Sequence, residues 1–593
     1  MSLLEINELT IRYADTPEPV VKGLTLAVER GESIGIVGES GSGKTQSAMA
    51  IMGLLPANAQ VSGTVHFDGT ELTGARDHVL NQYRACRIAM VFQDPRTALN
   101  PYVRIGKQLR RILLEHKICG RAEADTRTLD MLNKVGLSDP ERQFRAFPHE
   151  LSGGMRQRVM SGAALIGEPD LLVADEPTTA LDVTVQAQIL SLVRRLHAET
   201  NSALLLITHD LGVVAGNCER VAVMDRGRLV EEGMTRGVFR APASEKTRAL
   251  LLAAPHIDSA VMSEPLGADT GPLLEIEDIT VSFKERRSKG GRSLHAVKPM
   301  SFSLQERETV AVVGESGSGK TSLARAILGL LPADGGQVCF LGKTLPAYIG
   351  ARKNTVRRNL QMVFQDPLAS LNPAMSVREI VMEPLRIHER GKKKAGWNKD
   401  VAIMLGRVGL DPGLAGRYPH ELSGGQAQRV AIARSLILKP KVLICDEAVA
   451  ALDGTVQLEV LKLLLAEQER SGLSLVFITH DLAVVRQISH RVLVMYMGRL
   501  CEIAKNESLF TRPRHPYAKA LLNSVPVLDP DARPVDVPLA GEASSMLSPP
   551  TGCLFHPRCQ HAIAACSESV PELIDCEGSL VACHRAAELD LSY

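Results

Sequence analysis

Two stretches of this chain carry the residue types needed to hold a phosphorylated ligand. Gly38-Glu39-Ser40-Gly41-Ser42-Gly43-Lys44-Thr45 returns as Gly314-Glu315-Ser316-Gly317-Ser318-Gly319-Lys320-Thr321. The small residues Gly38, Ser40, Gly41 and Gly43, with Gly314, Ser316, Gly317 and Gly319, let consecutive backbone N–H groups close around phosphate oxygens. A helix opening directly after such a loop aims its positive end at the same anion. Lys44 and Lys320 then reach the β and γ phosphates, and the hydroxyls of Thr45 and Thr321 are placed to coordinate Mg²⁺.

Four further motifs follow each loop in the same order. Phe92-Gln93-Asp94-Pro95 repeats as Phe364-Gln365-Asp366-Pro367. Ser152, Gly153 and Gly154 repeat as Ser423, Gly424 and Gly425, each a serine with two glycines before a helical run, which is a second anion cradle. Asp175-Glu176 and Asp446-Glu447 end apolar runs, where an open parallel sheet places its ligands. The two carboxylates divide the labour: the aspartates hold Mg²⁺ through its waters and the glutamates polarise the attacking water. Thr208-His209-Asp210 and Thr479-His480-Asp481 close the set, with His209 and His480 set to meet a γ phosphate. Equivalents are separated by 276 residues at the lysine, 272 at the glutamine and 271 at the acids and histidines. So steady an offset means a duplicated domain.

These motifs dictate the elements around them. Leu4 to Tyr13 and Leu274 to Phe283 alternate as strands, and Ile34 to Val37 and Val310 to Val313 are apolar strands feeding the loops. Leu171 to Asp175, Val442 to Asp446, Ala203 to Thr208 and Ser474 to Thr479 have the continuous apolar character of buried parallel strands. Roughly residues 96 to 165 and 368 to 437 shift to longer helical stretches, so each half carries a helical subdomain. The fold class is α/β. The expected layout is a first domain over 1–254, a linker over 255–272, a second domain over 273–505 and a tail over 506–593.

Composition removes several classes. A chain of 593 residues exceeds a single core. With 68 basic and 67 acidic residues the footprint of a nucleic-acid binder is missing, so no nucleic-acid partner is expected. The opening Met1-Ser2-Leu3-Leu4-Glu5-Ile6 reads into a strand rather than a signal segment, and no apolar run approaches the ~20 residues of a spanning helix. A membrane connection must then come through a partner. Five of the eleven cysteines, Cys553, Cys559, Cys566, Cys576 and Cys583, fall in the last 41 residues. A disulfide framework is out of place in a reducing compartment, which leaves metal as the leading reading.

Loop, glutamine, LSGG signature, strand-end acids and histidine, in this order and twice, resemble the ATPase of the ABC family across nearly the whole chain. The resemblance implies two tandem ABC-type P-loop domains, two hydrolytic sites, and ATP with Mg²⁺ as ligands. Mg²⁺ would fall to Thr45 with Gln93 and to Thr321 with Gln365. It implies a head-to-tail sandwich in which Lys44, Thr45, Gln93, Asp175, Glu176 and His209 meet Ser423 to Gly425 and Asp453. Lys320, Thr321, Gln365, Asp446, Glu447 and His480 would meet Ser152 to Gly154 and Asp182. Tyr13 and Phe283 occupy the place where the family stacks adenine. Met155, Ala427 and Ala448 depart from its commonest residues (Gln, Arg and Pro) without removing a charge that touches phosphate.

Phe92 to Pro101 and Phe364 to Pro373 look like the glutamine loops of bacterial oligopeptide and dipeptide import ATPases, which receive a coupling helix from a permease. Arg514 to Leu522 and the block from Gly552 to Cys559 resemble the tail of the same branch. Some relatives hold a [4Fe–4S] cluster with this block, which here would use Cys553, Cys559, Cys566 and Cys583. Four thiolates also suit zinc, although no Cys-x2-Cys knuckle is present, and free thiols remain a third reading. The branch further implies two different permease subunits, an extracytoplasmic solute-binding protein, and a peripheral place on the cytoplasmic face of the bacterial inner membrane. Peptides lead among cargoes, with nickel systems sharing the motifs. A soluble translation factor is the rival from another class, disfavoured by the short 255–272 segment and by the cysteine tail.

Overall fold

The computed structural model describes all residues except 1, 15, 138, 179–180, 258–270, 285–292, 346–353, 390–395, 451, 533–538, 540, 542–545 and 592–593. Most of the expected linker, 258–270, therefore lies outside the described residues. The chain forms two compact units, residues 1–254 with 526–542, and residues 255–525 with 543–593. Residues 526–542 thus join the first unit although in sequence they interrupt the second. Within them Asp531 pairs with Arg236 at 3.2 Å and with Arg240.

In the first unit a parallel sheet runs Ile88–Val91, Leu171–Asp175, Ala203–Thr208, Ser33–Val37, Arg220–Asp225, with Arg228–Met234 antiparallel at the edge. Ser33–Val37, Leu171–Asp175 and Ala203–Thr208 are buried at every position, as a sheet covered on both faces requires. A four-stranded antiparallel sheet, Val21–Val28, Leu4–Tyr13, Ala59–Phe67 and Thr70–Glu71, packs its alternate apolar side chains against one face. The helices Ile105–Glu115, Arg121–Lys134 and Gly153–Leu165 share a second apolar core with the other face.

The second unit repeats the plan. Leu360–Val363, Val442–Asp446, Ser474–Ile478, Thr309–Val313 and Arg491–Tyr496 are parallel, and Arg499–Lys505 is antiparallel to them. Here the tail extends the sheet: Ser579–Val581 pairs with Arg499–Lys505, and Ile574–Cys576 pairs with Ser579–Val581. The consequence shows in burial. Arg228–Met234 alternates between exposed and half-buried, whereas Leu500 to Ala504 are all buried.

That burial includes charge. The Glu502 carboxylate accepts the N–H groups of Arg514 (3.0 and 3.1 Å) and His515 (2.8 Å). Burial lifts the Glu502 carboxyl from its ordinary 4.5 to about 7 and drives the His515 imidazole from 6.5 down to about 4. A carboxyl raised in the folded state keeps a proton that the unfolded chain has released, so it lowers stability as pH rises from 4.5 towards 7. An imidazole depressed in the folded state refuses a proton that the unfolded chain takes, so it lowers stability as pH falls from 6.5 towards 4. The two slopes oppose one another. Glu502→Gln removes only the first, and the second unit should then gain about 2 kcal/mol between pH 4.5 and 6.5. Trp397, the single tryptophan and a buried residue of this unit, reports its urea unfolding; an unchanged pH profile in the variant would contradict the assignment.

Candidate functional site

Each glycine loop leaves the carboxyl end of a central strand and enters a helix, Lys44–Ile51 or Lys320–Ile327. The caps of both helices, Gly43 and Gly319, have φ of 99° and 101°. Only glycine adopts that backbone without strain. Lys44 and Lys320 are buried, and each ammonium is parked on its own loop. Lys44 Nζ donates to the carbonyls of Gly38 (2.7 Å) and Glu39 (2.8 Å), and Lys320 Nζ to those of Gly314 (2.7 Å) and Glu315 (2.9 Å).

The threonines and strand-end aspartates come together across the sheet, with Thr45 Oγ1 donating to Asp175 and Thr321 Oγ1 to Asp446, both at 3.1 Å. Burial, with the neighbouring Glu176 charge, raises the Asp175 carboxyl to about 6, and burial likewise raises that of Asp446. A hydroxyl beside a destabilised carboxylate is a hard-oxygen pair that fits Mg²⁺. The glutamine loops reach the same place. Gln93 Nε2 donates to Glu176 (2.7 Å) and Gln365 Nε2 to Glu447 (2.6 Å). On the other carboxylate oxygen, His209 Nδ1 stands 3.3 Å from Glu176 and His480 Nδ1 3.6 Å from Glu447. In the first half the bond to Glu176 raises the His209 imidazole; in the second the bond to His480 lowers the Glu447 carboxyl. Both directions favour the charged pair.

The histidines are aimed by the residue after them. Asp210 caps Leu211–Asn217 through Gly212 and Val213, and Asp481 caps Leu482–Ile488 through Ala483 and Val484. The glutamates carry a feature with no sequence signal: Glu176 and Glu447 have φ of 46° and 49°, while their N–H groups bond Ile207 and Ile478. Non-glycine residues held there cost about 1–3 kcal/mol and cluster at working sites.

Ser152 and Ser423 cap Gly153–Leu165 and Gly424–Leu436 by accepting the N–H of Met155 (3.2 Å) and Gln426 (3.3 Å). Gln426 Oε1 in turn accepts the Ser423 N–H at 3.1 Å, a bond for which Met155 offers no oxygen. Asp182 and Asp453 stand at the N-termini of Val183–Thr200 and Gly454–Ser471. Tyr13 is half-buried with its hydroxyl on Gln46, while Phe283 is exposed.

In the tail, Cys566 is buried and Cys553, Cys559 and Cys583 are half-buried. Burial raises the thiols of Cys553, Cys559 and Cys583, and the neighbouring cysteines raise them further. Cys501 of the sheet belongs to this neighbourhood too: burial, then Cys553, pushes it up. No sequence pattern marked it. Cys576 lies on the hairpin strand Ile574–Cys576. Among the described residues no group of three or more His, Cys, Asp or Glu side chains is arranged to hold a metal ion, and no helix is long and apolar enough to cross a membrane.

Two parallel sheets, each presenting a phosphate loop, an Mg²⁺-type oxygen pair and a glutamate held by glutamine and histidine, define a double nucleotide hydrolase. Residues 21–179 and 297–450 match the family model described as ABC transporter, and the chain belongs to that family. Residues 501–566 match the model described as oligopeptide/dipeptide transporter, C-terminal region, so the chain is an ATP-hydrolysing subunit of that importer branch. It is 42% identical over 568 residues to the glutathione import ATP-binding protein GsiA of Pectobacterium atrosepticum, covering 90% of each chain. It is 40% identical over 584 residues to GsiA of Escherichia coli K12, covering 92% of this chain and 93% of that one. The translation-factor alternative has no place for the matched tail.

Proposed function

We propose that this chain drives import of short peptides, with glutathione the first candidate cargo, through two permease subunits fed by an extracytoplasmic binding protein. The observation that carries the reading is the joint presence of two complete hydrolytic sets and a tail matched to oligopeptide and dipeptide transporters. The relatives' name adds glutathione. In each half the lysine and loop bind the phosphates, the glutamate activates water, and the histidine holds the glutamate. Site one works with Lys44, Thr45, Gln93, Asp175, Glu176 and His209, and site two with Lys320, Thr321, Gln365, Asp446, Glu447 and His480. Ser152 to Gly154 with Asp182, and Ser423 to Gly425 with Asp453, supply further anion cradles. Mg²⁺ on Thr45 and Gln93, and on Thr321 and Gln365, would neutralise the phosphate charge. Tyr13 and Phe283 take adenine.

A permease helix would dock beside the second glutamine loop, where a cleft of about 330 Å³ is lined by Phe364, Ser370, Pro384 and Arg434, whose guanidinium donates to the Ser370 carbonyl at 2.6 Å. Such docking would set the chain peripherally on the cytoplasmic face of the inner membrane. Detergent co-purification should recover two different permeases, and the reconstituted complex should couple ATP hydrolysis to uptake of labelled glutathione. Permeases without glutathione uptake would leave another peptide or nickel as cargo; ribosomal proteins in their place would sink the importer reading.

For the tail, Cys553, Cys559, Cys566 and Cys583 are proposed to hold a [4Fe–4S] cluster, with zinc the alternative. Cys553, Cys559 and Cys566 lie near enough to raise the Cys583 thiol, and the N–H of Arg585 is directed at Cys583 Sγ (3.4 Å); this closeness supports a shared site. Its chemistry would be structural, pinning a segment too small to build its own core. Anaerobically purified protein should contain about four iron and four sulfide per chain, lost in Cys559→Ser; one zinc and no sulfide would select the alternative.

A further inference from the structure

The second phosphate loop is gripped by the C-terminal cysteine block. Glu315, the loop's second residue, is buried, and its carboxylate accepts two bonds from the Arg558 guanidinium, at 2.8 and 3.1 Å. The two side chains are 8% and 5% exposed. Arg558 ends the short turn His556–Arg558, between Cys553 and Cys559, and its Nη1 also reaches the Tyr496 hydroxyl at 3.3 Å. The Glu315 N–H donates to the Tyr517 hydroxyl at 2.9 Å. Tyr496, Tyr517 and Phe555 pack around this point with ring centroids 4.7 to 5.4 Å apart. Main chain and side chain of Glu315 are thus both fixed by residues beyond the loop. The carbonyl of the same residue accepts Lys320 Nζ, so any tilt of Glu315 moves an anchor of the phosphate lysine.

The first loop is held differently. Glu39 pairs with Lys246 at 2.7 Å, and both side chains are about a quarter exposed, at 30% and 25%. Lys246 and Tyr517 stand 271 residues apart, the spacing that separates Asp175 from Asp446. One helix position therefore serves both loops. In the second half it bonds the Glu315 N–H, and the carboxylate passes to an arginine supplied by the cysteine block. A buried bidentate arginine–carboxylate pair fixes geometry; a partly exposed single-contact lysine pair does so less.

We propose that the C-terminal cysteine block is a positioning element of the second nucleotide site, acting through Arg558 as its positioning residue, and that the first site works without it. Arg558 holds Glu315 so that the loop's N–H groups and Lys320 are set for the phosphates. The inference rests on Lys320 being the phosphate lysine. The test uses the full chain in two backgrounds, Lys44→Ala, where only site two binds, and Lys320→Ala, where only site one binds, each titrated with a fluorescent ATP analogue. Arg558→Met should raise Kd about tenfold in the first background and leave it within about twofold in the second. Arg558→Lys, which restores the charge and one bond, should recover part of the loss. Trp397, the buried tryptophan of the second unit, reports by its fluorescence in each variant whether that unit still folds. Equal shifts in both backgrounds, or none in either, would overturn the proposal. A Lys320→Ala chain that still binds two nucleotides would remove the phosphate-lysine reading and the proposal with it, and the stoichiometry tells that failure from the others.

Discussion

Glu176→Gln and Glu447→Gln are each expected to lower steady-state ATP turnover by about 10²-fold or more while leaving Mg·ATP bound. The substitution keeps size and the hydrogen bond that Gln93 or Gln365 donates, but removes the charge on which a water proton could be taken. The surroundings leave the carboxylate no substitute. In site one the Glu176 oxygens are occupied by Gln93 at 2.7 Å and His209 at 3.3 Å; in site two those of Glu447 are occupied by Gln365 at 2.6 Å and His480 at 3.6 Å. Both histidines are neighbours through which the glutamate is held charged, so neither supplies a free base at the same point. Both sites carry the same parts, and with the two coupled through the permeases proposed above, either single substitution is expected to be enough. Phosphate release and nucleotide retention, measured on the same reconstituted complex, check it. Normal turnover in either variant would mean that site is dispensable for hydrolysis.

The parts legible in the sequence are those whose chemistry constrains several adjacent residues at once. A phosphate loop needs its glycines, a strand before it and a helix after it, so the strands Ser33–Val37 and Thr309–Val313 and the helices from Lys44 and Lys320 stand where the motifs require. Leu171–Asp175 and Val442–Asp446 were legible because parallel strands covered on both faces read as unbroken apolar runs. Features set by tertiary packing left no local mark. The left-handed φ of Glu176 and Glu447 is imposed on a residue type that does not favour it. Ile574–Cys576 and Ser579–Val581 are three residues each, too short for a period, and exist because Arg499–Lys505 offers them an edge. The cysteine spacing pointed to a local site. What the block also does, sending Arg558 to Glu315 across 243 residues, depends on a pairing that no window of sequence contains.

Gly319→Ala should destroy the second nucleotide site, and the equivalent Gly43→Ala should be distinctly milder. Both glycines cap the loop helix with nearly the same φ, 101° and 99°, so a methyl group meets the same intrinsic strain, about 1–3 kcal/mol. The surroundings then separate them. A Cβ on Gly319 would lie 2.1 Å from the Ala296 carbonyl oxygen, an approach that backbone must move to relieve. Ala296 is not free to move. It lies on Ser293–Leu304, whose Lys298 N–H is bonded to the Gly498 carbonyl at 2.8 Å, and even a Cβ placed on Gly498 would meet the same Ala296 oxygen at 2.8 Å. A Cβ on Gly43 meets the Val20 oxygen at 2.9 Å and a Val21 methyl at 3.1 Å, which a shift of a few tenths of an ångström relieves. Gly319→Ala is therefore expected to abolish nucleotide binding at site two and to destabilise the second unit by about 3 kcal/mol or more, read from Trp397 fluorescence in urea. Gly43→Ala should remain folded and bind nucleotide at site one about tenfold more weakly. Equal losses in the two variants would show that the strained φ alone sets the cost, and that the strand behind the second loop yields.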